Sequence, residues 1–398
     1  MITHFDPFSI ARLPRIEFGS GAFDRTAGIT ARYGHRALLV TGAHSFPASE
    51  NWQRLLQRFA ELKIGYGHVR IDGQPSPEMI DQAVVEHAAA KIDVVVGIGG
   101  GSAMDAAKAI AGLLRVKQPV MDFLEGVGPE LPYRGPAVPL IAVPTTAGTG
   151  SEATKNAVLS RHGPQGFKTS FRDDGLVAEV AIVDPDLLAT CPRGVIAANG
   201  MDALSQLIES YVSIKTNVFN DALGISGLRA ARDGLLRLYQ SEGADADARE
   251  RMAYASLISG INLAQTGLGS VHGLASPLGA FYPIPHGVVC GTLLAAATGV
   301  NIGAMREREP ENSAVLRYAR VSEVLAQRRF KSIDDALDNL VSLLQQWTDE
   351  LQLEKLSRYG LDAPALDKVV EHSRGSSMKT NPIVLTDDEI KSVLTERL

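Results

Sequence analysis

Residues 93–108 read DVVVGIGGGSAMDAAK, the pattern of a strand, a glycine turn and a helix. An apolar run from Asp93 to Ile98 passes through three glycines into a helical pattern from Met104 to Leu114. A short run that is apolar on both faces predicts a strand of a covered parallel sheet. Glycines at this point let backbone N–H groups approach a diphosphate, and the helix N-terminus adds a favourable dipole. The pattern also fits a plain strand-to-helix turn, and it is not the GxGxxG fingerprint.

Similar apolar runs flank this stretch throughout the N-terminal half. They cover residues 37–41, 140–144 and 181–184, and a helical pattern covers residues 51–62. After about Pro192 the pattern changes to long helical periodicity, over residues 199–212, 220–240, 247–260 and 332–353. A chain of 398 residues is also too long for one typical core. We therefore predict an α/β dinucleotide-binding domain with a parallel sheet over residues 1–189, followed by an all-α domain over residues 190–398.

A loop rich in small polar residues follows the run at 140–144. Residues 144–152 read PTTAGTGSE, with hydroxyl side chains at Thr145, Thr146, Thr149 and Ser151. Hydroxyls there can bind ribose, phosphate or carboxamide groups, while the glycines permit close approach. A turn without a binding role remains the alternative, but such a turn rarely needs so many small hydrogen-bond donors.

The C-terminal half contains candidate metal ligands. His272 and His286 lie in a largely apolar stretch, next to Pro and Gly turns, and neutral imidazole is a good ligand for Fe, Zn or Ni. Asp202 stands in a predicted helix, with Gln206 one turn later on the same face. Each residue also has a structural interpretation, because core histidines are often only hydrogen-bonded and Asp202 also fits a helix N-terminal acid.

Charge and cysteine content disfavour some classes of protein. The net charge of −6 argues against binding to nucleic acid or an anionic membrane. The two cysteines, Cys191 and Cys290, provide no disulfide framework, which favours a reducing compartment. Residues 1–20 lack the apolar core of a signal peptide. We expect a cytoplasmic enzyme.

Taken together, these motifs resemble the iron-containing, or group III, alcohol dehydrogenases. The resemblance rests on GGGSxxDxxK at 99–108, PTTAGTGSE at 144–152, GMDAL at 200–204 and the two histidines. It extends to NP at 381–382 and TDDEI at 386–390, and so covers nearly the whole chain in order. The family fold, which is like that of dehydroquinate synthase, has an α/β dinucleotide-binding domain, a helical domain and an active site in the cleft between them.

The resemblance implies roles for individual residues. Gly99, Gly100, Gly101 and Ser102 would hold the diphosphate of NAD or NADP, and Thr145, Thr146, Thr149 and Ser151 would line its adenosine and ribose side. Lys168 would reach a ribose hydroxyl. Asp202, His272 and His286 match three of the four ligands of a divalent metal such as Fe or Zn. The substrate would be a small alcohol or aldehyde, and the enzyme a homodimer or larger homo-oligomer.

Two positions depart from the family pattern. Gln206 replaces the histidine that usually follows the aspartate by four residues, and Ser276 replaces a histidine associated with proton transfer. An amide oxygen is a weaker ligand than imidazole for Fe or Zn, so Gln206 would be a poor fourth ligand and the metal would bind weakly or not at all. The proton would then leave through water or through a hydroxyl such as that of Ser276. Without metal, Gln206, His272 or Lys168 would have to polarise the carbonyl by hydrogen bonding.

Gly42 bears on the choice of cofactor. NAD-using relatives often have an acidic residue at this point, and its absence removes repulsion against a 2′-phosphate, which slightly favours NADP. Two other functions stay open, a metal-independent reductase of a polar aldehyde or keto acid and an inactive cofactor-binding relative. A sugar-phosphate cyclase is disfavoured because the helical half has no basic cluster suited to a substrate phosphate.

Overall fold

The computed structural model describes residues 7–116, 118–163 and 166–398. The chain divides into two compact units, one of residues 11–161 and 166–190, the other mainly of residues 191–398. The strands are β1 (Arg15–Phe18), β2 (Arg36–Gly42), β3 (Gly65–Ile71), β4 (Val94–Gly99), β5 (Leu140–Pro144), β6 (Asn156–Arg161), β7 (Phe167–Arg172) and β8 (Val180–Val183). The helices of the first unit are α1 (Thr26–Ala31), α2 (Glu50–Glu61), α3 (Pro77–His87) and α4 (Gly101–Leu113).

Six strands form one parallel sheet in the order β1-β8-β5-β4-β2-β3. Side chains alternate between its faces, so Leu38 and Val40 of β2 pack in the core that α3 and α4 cover. Leu39 points to the opposite face and packs in the core that includes Leu55 and Phe59 of α2. Helices therefore cover both faces, as the apolar strands predicted.

A β-hairpin was not predicted. Strands β6 and β7 pair antiparallel outside the main sheet, and Phe171 of β7 is buried in the same core as α4. The hairpin strands have mixed polar and apolar sequences, NAVLSR and FKTSFR, because only part of each strand is buried. Such a pattern gives too weak a signal to separate a strand from a loop.

The second unit is helical, which confirms the predicted fold class. Its helices are α5 (Arg193–Val212), α6 (Val218–Gln240), α7 (Ala246–Thr266), α8 (Ser270–Phe281), α9 (His286–Arg308), α10 (Ser313–Ala326), α11 (Ile333–Glu350), α12 (Leu366–Glu371) and α13 (Asp387–Glu396). Helix α5 packs against α6, α7 and α9. By length and composition α9 could span a membrane, but 78% of its most apolar window is buried inside the fold, as in the core helix of a soluble protein.

The structure corrects the predicted surroundings of His272. The stretch around it is not a turn but helix α8, which contains Pro277 in its interior. Nine of the twelve residues of α8 are buried and the other three are partly buried, so the helix has no exposed polar face to reveal its period. Helix α5 also begins at Arg193, directly after Pro192, rather than at residue 199.

Candidate functional site

The predicted cofactor residues of the first unit meet at the carboxyl edge of the sheet. Strand β4 pairs with β2 through Thr41 and Ile98, and with β5 through Gly99 and Pro144. The chain leaves β2 towards β3 on one side and leaves β4 towards β5 on the other. The gap between the ends of β2 and β4 is therefore the topological switch point, where open parallel sheets bind ligands. Gly42 and the glycine turn border this gap.

The glycine turn packs directly against the threonine loop. The backbone N–H of Thr145 donates a hydrogen bond to the carbonyl of Gly99 at 2.9 Å. Gly99 has a φ of 155°, and a Cβ there would lie 2.7 Å from the Cβ of Ala103. A Cβ on Gly100 would lie 3.3 Å from Oγ1 of Thr146, and one on Gly101 would lie 3.0 Å from Cγ2 of Thr149. The structure therefore brings both predicted loops to one place.

The N-terminus of α4 opens from this turn. Gly100 is the N-cap residue, and within the described chain no side chain caps this end of the helix. The first-turn N–H groups of a helix lack intrahelical partners, so they suit an anionic ligand. Ser102 lies in this first turn and is partly exposed.

Ser151 has a different environment from the threonines. Its hydroxyl donates to Oδ1 of Asp105 at 2.8 Å and accepts from Nζ of Lys108 at 2.7 Å. Lys108 is fully buried and also donates to Oγ1 of Thr154. Burial lowers the pKa of Lys108 to about 8, against the opposing charges of Asp105 and Glu152. The hydroxyl of Ser151 thus anchors the threonine loop to α4, and its predicted contact with the cofactor stays a prediction.

Gly42 and Lys168 are the remaining predicted cofactor residues. A Cβ on Gly42 would meet no heavy atom of the described residues within 4 Å, so the position has room for a side chain. Lys168 lies on β7 and is partly buried. Burial raises the pKa of Asp105, and the positive charge of Lys168 opposes that rise. Both predicted roles, at the ribose 2′ position and at a ribose hydroxyl, stay predictions.

In the second unit, three predicted ligands meet a fourth residue that was not predicted. Asp202 of α5, His272 of α8 and His286 and Cys290 of α9 bring their ligand atoms within 4.8 Å of one another. Oδ1 of Asp202 lies 3.2 Å from Nε2 of His272 and 3.7 Å from Nε2 of His286. The Sγ atom of Cys290 lies 3.5 Å from Nε2 of His272 and 3.7 Å from Nε2 of His286. We call these four residues the ligand cluster.

The buried carboxylate of Asp202 fits a bound cation. Among the described residues, none forms a hydrogen bond with its Oδ2 atom, which is an unusual state for a buried oxygen. Burial alone would raise the pKa of Asp202, but His286 and His272 hold it below its usual range. Burial likewise raises the pKa of the Cys290 thiol to about 12. Imidazole, carboxylate and sulfur donors together are the set that Zn and Fe use in proteins.

A second buried carboxylate orients His272. Oε2 of Glu209 lies 2.6 Å from Nδ1 of His272, whose Nε2 faces Asp202. Burial opposes the charged form of His272, but Cys290 and Glu209 raise its pKa well above the usual value. A carboxylate behind a histidine is the usual support for a metal ligand. Sequence analysis missed Glu209, although it stands seven residues after Asp202 on the same helical face.

The role of Gln206 as a poor fourth ligand stays a prediction. Its Oε1 atom, the only atom that could bind a metal, accepts a hydrogen bond from the hydroxyl of Ser259 in α7 at 2.9 Å. Cys290 was missed because a buried helical cysteine usually only fills the core. The available signal was its spacing four residues after His286, which places both side chains on one face of α9. Ser276 lies one turn after His272 in α8 and is partly buried.

Exposure within the ligand cluster is uneven. The side chains of Asp202 and His272 are 1% and 7% exposed, whereas that of His286 is 30% exposed. A small molecule would therefore reach the cluster from the side of His286.

Comparison with known proteins identifies the family. The model described as "Iron-containing alcohol dehydrogenase" matches residues 14–185, and "Fe-containing alcohol dehydrogenase family, C-terminal" matches residues 196–398. The NAD-dependent methanol dehydrogenase of Bacillus methanolicus is 33% identical over 294 residues, 73% of either chain. The NADPH-dependent butanol dehydrogenase of Clostridium saccharobutylicum is 26% identical over 391 residues, 96% of either chain. The solved structure of an archaeal halo-thermophilic alcohol dehydrogenase from a Red Sea brine pool has a TM-score of 0.89, with 26% identity and full coverage of both chains.

Proposed function

The chain belongs to the iron-containing alcohol dehydrogenase family, and from that premise we propose how its two halves divide the reaction. The protein is an NAD(P)-dependent alcohol dehydrogenase or aldehyde reductase, which transfers a hydride between the nicotinamide and a small alcohol or aldehyde. We assign cofactor binding to residues 1–189, and metal and substrate-oxygen binding to residues 190–398. The observation that carries this assignment is the convergence of Asp202, His272 and His286.

The cofactor diphosphate binds at Gly99–Ser102 in this proposal. Support comes from the switch point at the ends of β2 and β4 and from the N-terminus of α4, whose N-cap residue Gly100 makes no side-chain capping bond. Thr145, Thr146 and Thr149 line the ribose side, since their loop packs on the glycines. Lys168 binds a ribose hydroxyl.

Asp202, His272 and His286 hold a divalent cation, Fe or Zn. When bound, such a cation polarises the substrate oxygen and stabilises the alkoxide. The chain's own contribution is to hold the donors in place, and Glu209 does so by fixing the ring of His272. Ser276, one turn along the same helix, relays the alcohol proton: its Oγ atom accepts that proton while its own hydroxyl proton passes to a solvent water.

For the choice of cofactor we propose a preference for NADP over NAD. The named relatives include an NAD-dependent and an NADPH-dependent enzyme, so the family alone does not decide this point. The support is local, because Gly42 presents no carboxylate that would repel a 2′-phosphate. A homo-oligomer and a cytoplasmic location stay predictions.

The test measures turnover on a panel of small alcohols and aldehydes with NADPH and NADH. Metal content is determined in parallel by elemental analysis, before and after treatment with a chelator. We expect turnover with both cofactors, faster with NADPH, and a loss of rate on chelation that Zn²⁺ or Fe²⁺ restores. The variant Asp202→Asn should show the same loss without chelation.

Two outcomes would contradict the proposal in different ways. Cofactor binding without turnover on any substrate would indicate an inactive relative. Full turnover by metal-free protein would indicate the alternative, a reductase that polarises its carbonyl by hydrogen bonding.

A further inference from the structure

We propose that Cys290 is the fourth protein ligand of the metal site. It would replace the histidine ligand that the family pattern has at the position of Gln206. The site would then combine Asp202, His272, His286 and Cys290 and would select a thiophilic cation such as Zn²⁺, Fe²⁺ or Co²⁺ over Mg²⁺. This inference rests on the proposed metal-assisted function.

Four of the six separations within the ligand cluster match a tetrahedral site. Zinc bonds of about 2.0–2.3 Å at tetrahedral angles separate the ligand atoms by roughly 3.3–3.7 Å. Oδ1 of Asp202 lies 3.2 and 3.7 Å from the Nε2 atoms of His272 and His286. Sγ of Cys290 lies 3.5 and 3.7 Å from the same two atoms. The two remaining separations, between Asp202 and Cys290 and between the two histidines, lie within 4.8 Å, so side-chain rotations suffice to bring all four donors onto one cation.

Local structure explains how Cys290 reaches the cluster. His286 is the first residue of α9, and Cys290 follows one turn later on the same face, so the helix presents both donors side by side. Cys290 is fully buried, which places its sulfur among the ligands rather than in solvent. A helical His-x-x-x-Cys pair is thus a two-donor unit.

The state of the other polar atoms supports a cation at this point. The unpartnered Oδ2 of Asp202 is buried beside the cluster, where a positive charge would compensate it. The Nδ1 atom of His272 is bound by Glu209, which leaves Nε2 to face the centre of the cluster. The amide oxygen of Gln206 accepts a hydrogen bond from Ser259, which ties this side chain to α7.

The experiment replaces any bound metal of the 398-residue protein by Co²⁺ and records the absorption spectrum of the Co²⁺ protein. A thiolate bound to Co²⁺ produces a near-ultraviolet charge-transfer band that nitrogen and oxygen ligands do not produce. We expect this band in the wild type and in the matched control Cys191→Ser, and its loss in Cys290→Ser. Gln206→Ala should retain the band. In chelator competition, Cys290→Ser should bind Co²⁺ about ten- to a hundredfold more weakly than the wild type.

The outcomes separate this inference from the proposed function. Co²⁺ binding by the wild type without a charge-transfer band would overturn the role of Cys290 and leave a metal-assisted enzyme. A band that disappears in Cys191→Ser or persists in Cys290→Ser would also overturn it. Failure of the wild type to bind Co²⁺ at all would overturn this inference together with the metal part of the proposed function, while cofactor-dependent turnover would still be measured separately. The wild-type spectrum is decisive even if Cys290→Ser fails to fold.

Discussion

Nδ1 of His272 lies 2.6 Å from Oε2 of Glu209, while Oε1 of the same carboxylate accepts a hydrogen bond from the backbone N–H of Val271 at 2.7 Å. One side chain of α5 therefore fixes both the start of α8 and the ring of a candidate metal ligand. The orientation of His272 depends on this carboxylate, because its other ring nitrogen, Nε2, faces Asp202.

The first prediction concerns Glu209. Glu209→Gln keeps the size of the side chain but removes its charge, so the imidazole becomes a weaker and less well oriented donor. We expect metal affinity to fall about ten- to a hundredfold, as when other carboxylates behind metal-bound histidines are lost. Chelator competition measures this, with Glu152→Gln, a buried carboxyl of the other unit, as the control. Equal affinities in the wild type and Glu209→Gln would show that Glu209 serves only to hold α8.

The second prediction concerns the glycine turn. Gly100→Val places methyl groups beside Thr146, where a Cβ alone already lies 3.3 Å from Oγ1, and at the approach of the diphosphate. We expect the dissociation constant of the cofactor to rise by an order of magnitude or more. Gly28→Val is the control, since a Cβ on this α1 residue meets no described heavy atom within 4 Å. Unchanged cofactor affinity in Gly100→Val would show that the diphosphate does not bind at this turn.

The third prediction concerns cofactor choice. Gly42→Asp introduces a carboxylate at a position with room for it, where it would repel a 2′-phosphate and accept from a ribose hydroxyl. We expect the ratio of kcat/KM with NADPH to kcat/KM with NADH to fall by at least tenfold. Gly42→Asn, which is of equal size and uncharged, should change this ratio much less. If both variants behave as the wild type does, Gly42 lies away from the adenosine ribose.

The fourth prediction concerns stability and pH. Burial raises the pKa of Glu152 to about 7 from an unperturbed value of 4.5. The folded state therefore binds more protons than the unfolded state between these pH values, and the wild type loses stability as the pH rises through them. Glu152→Gln removes this loss, so we expect it to match the wild type near pH 4.5 and to exceed it by at most roughly 3 kcal/mol at pH 8.

Urea denaturation at the two pH values measures this difference. Glu86→Gln, at an exposed position of α3, serves as the control and should leave the pH dependence unchanged. A parallel pH dependence of wild type and Glu152→Gln would mean that Glu152 is ionised in the fold at little cost.

Much of the architecture followed from local patterns. The apolar runs at 94–98 and 140–144 were recognisable as covered strands because every residue in them is buried. Amphipathic helices such as α11 were recognisable from their period. The hairpin at 156–172 and helix α8 were not, since a half-buried strand and a fully buried helix both lack a clear period.

Periodicity along the chain predicted the fold class, and the motifs that resemble the iron-containing alcohol dehydrogenases pointed to three of the four members of the ligand cluster, because both are properties of neighbouring residues. The tertiary structure alone brought in Cys290 and Glu209 and gave Gln206 a hydrogen bond to Ser259. Asp202 and His272 lie seventy residues apart in the chain, and their atoms meet only because α5 and α8 both pack against α9. That packing is the sum of many contacts along whole helices, so which side chains face the same point is decided by the fold rather than by any local pattern.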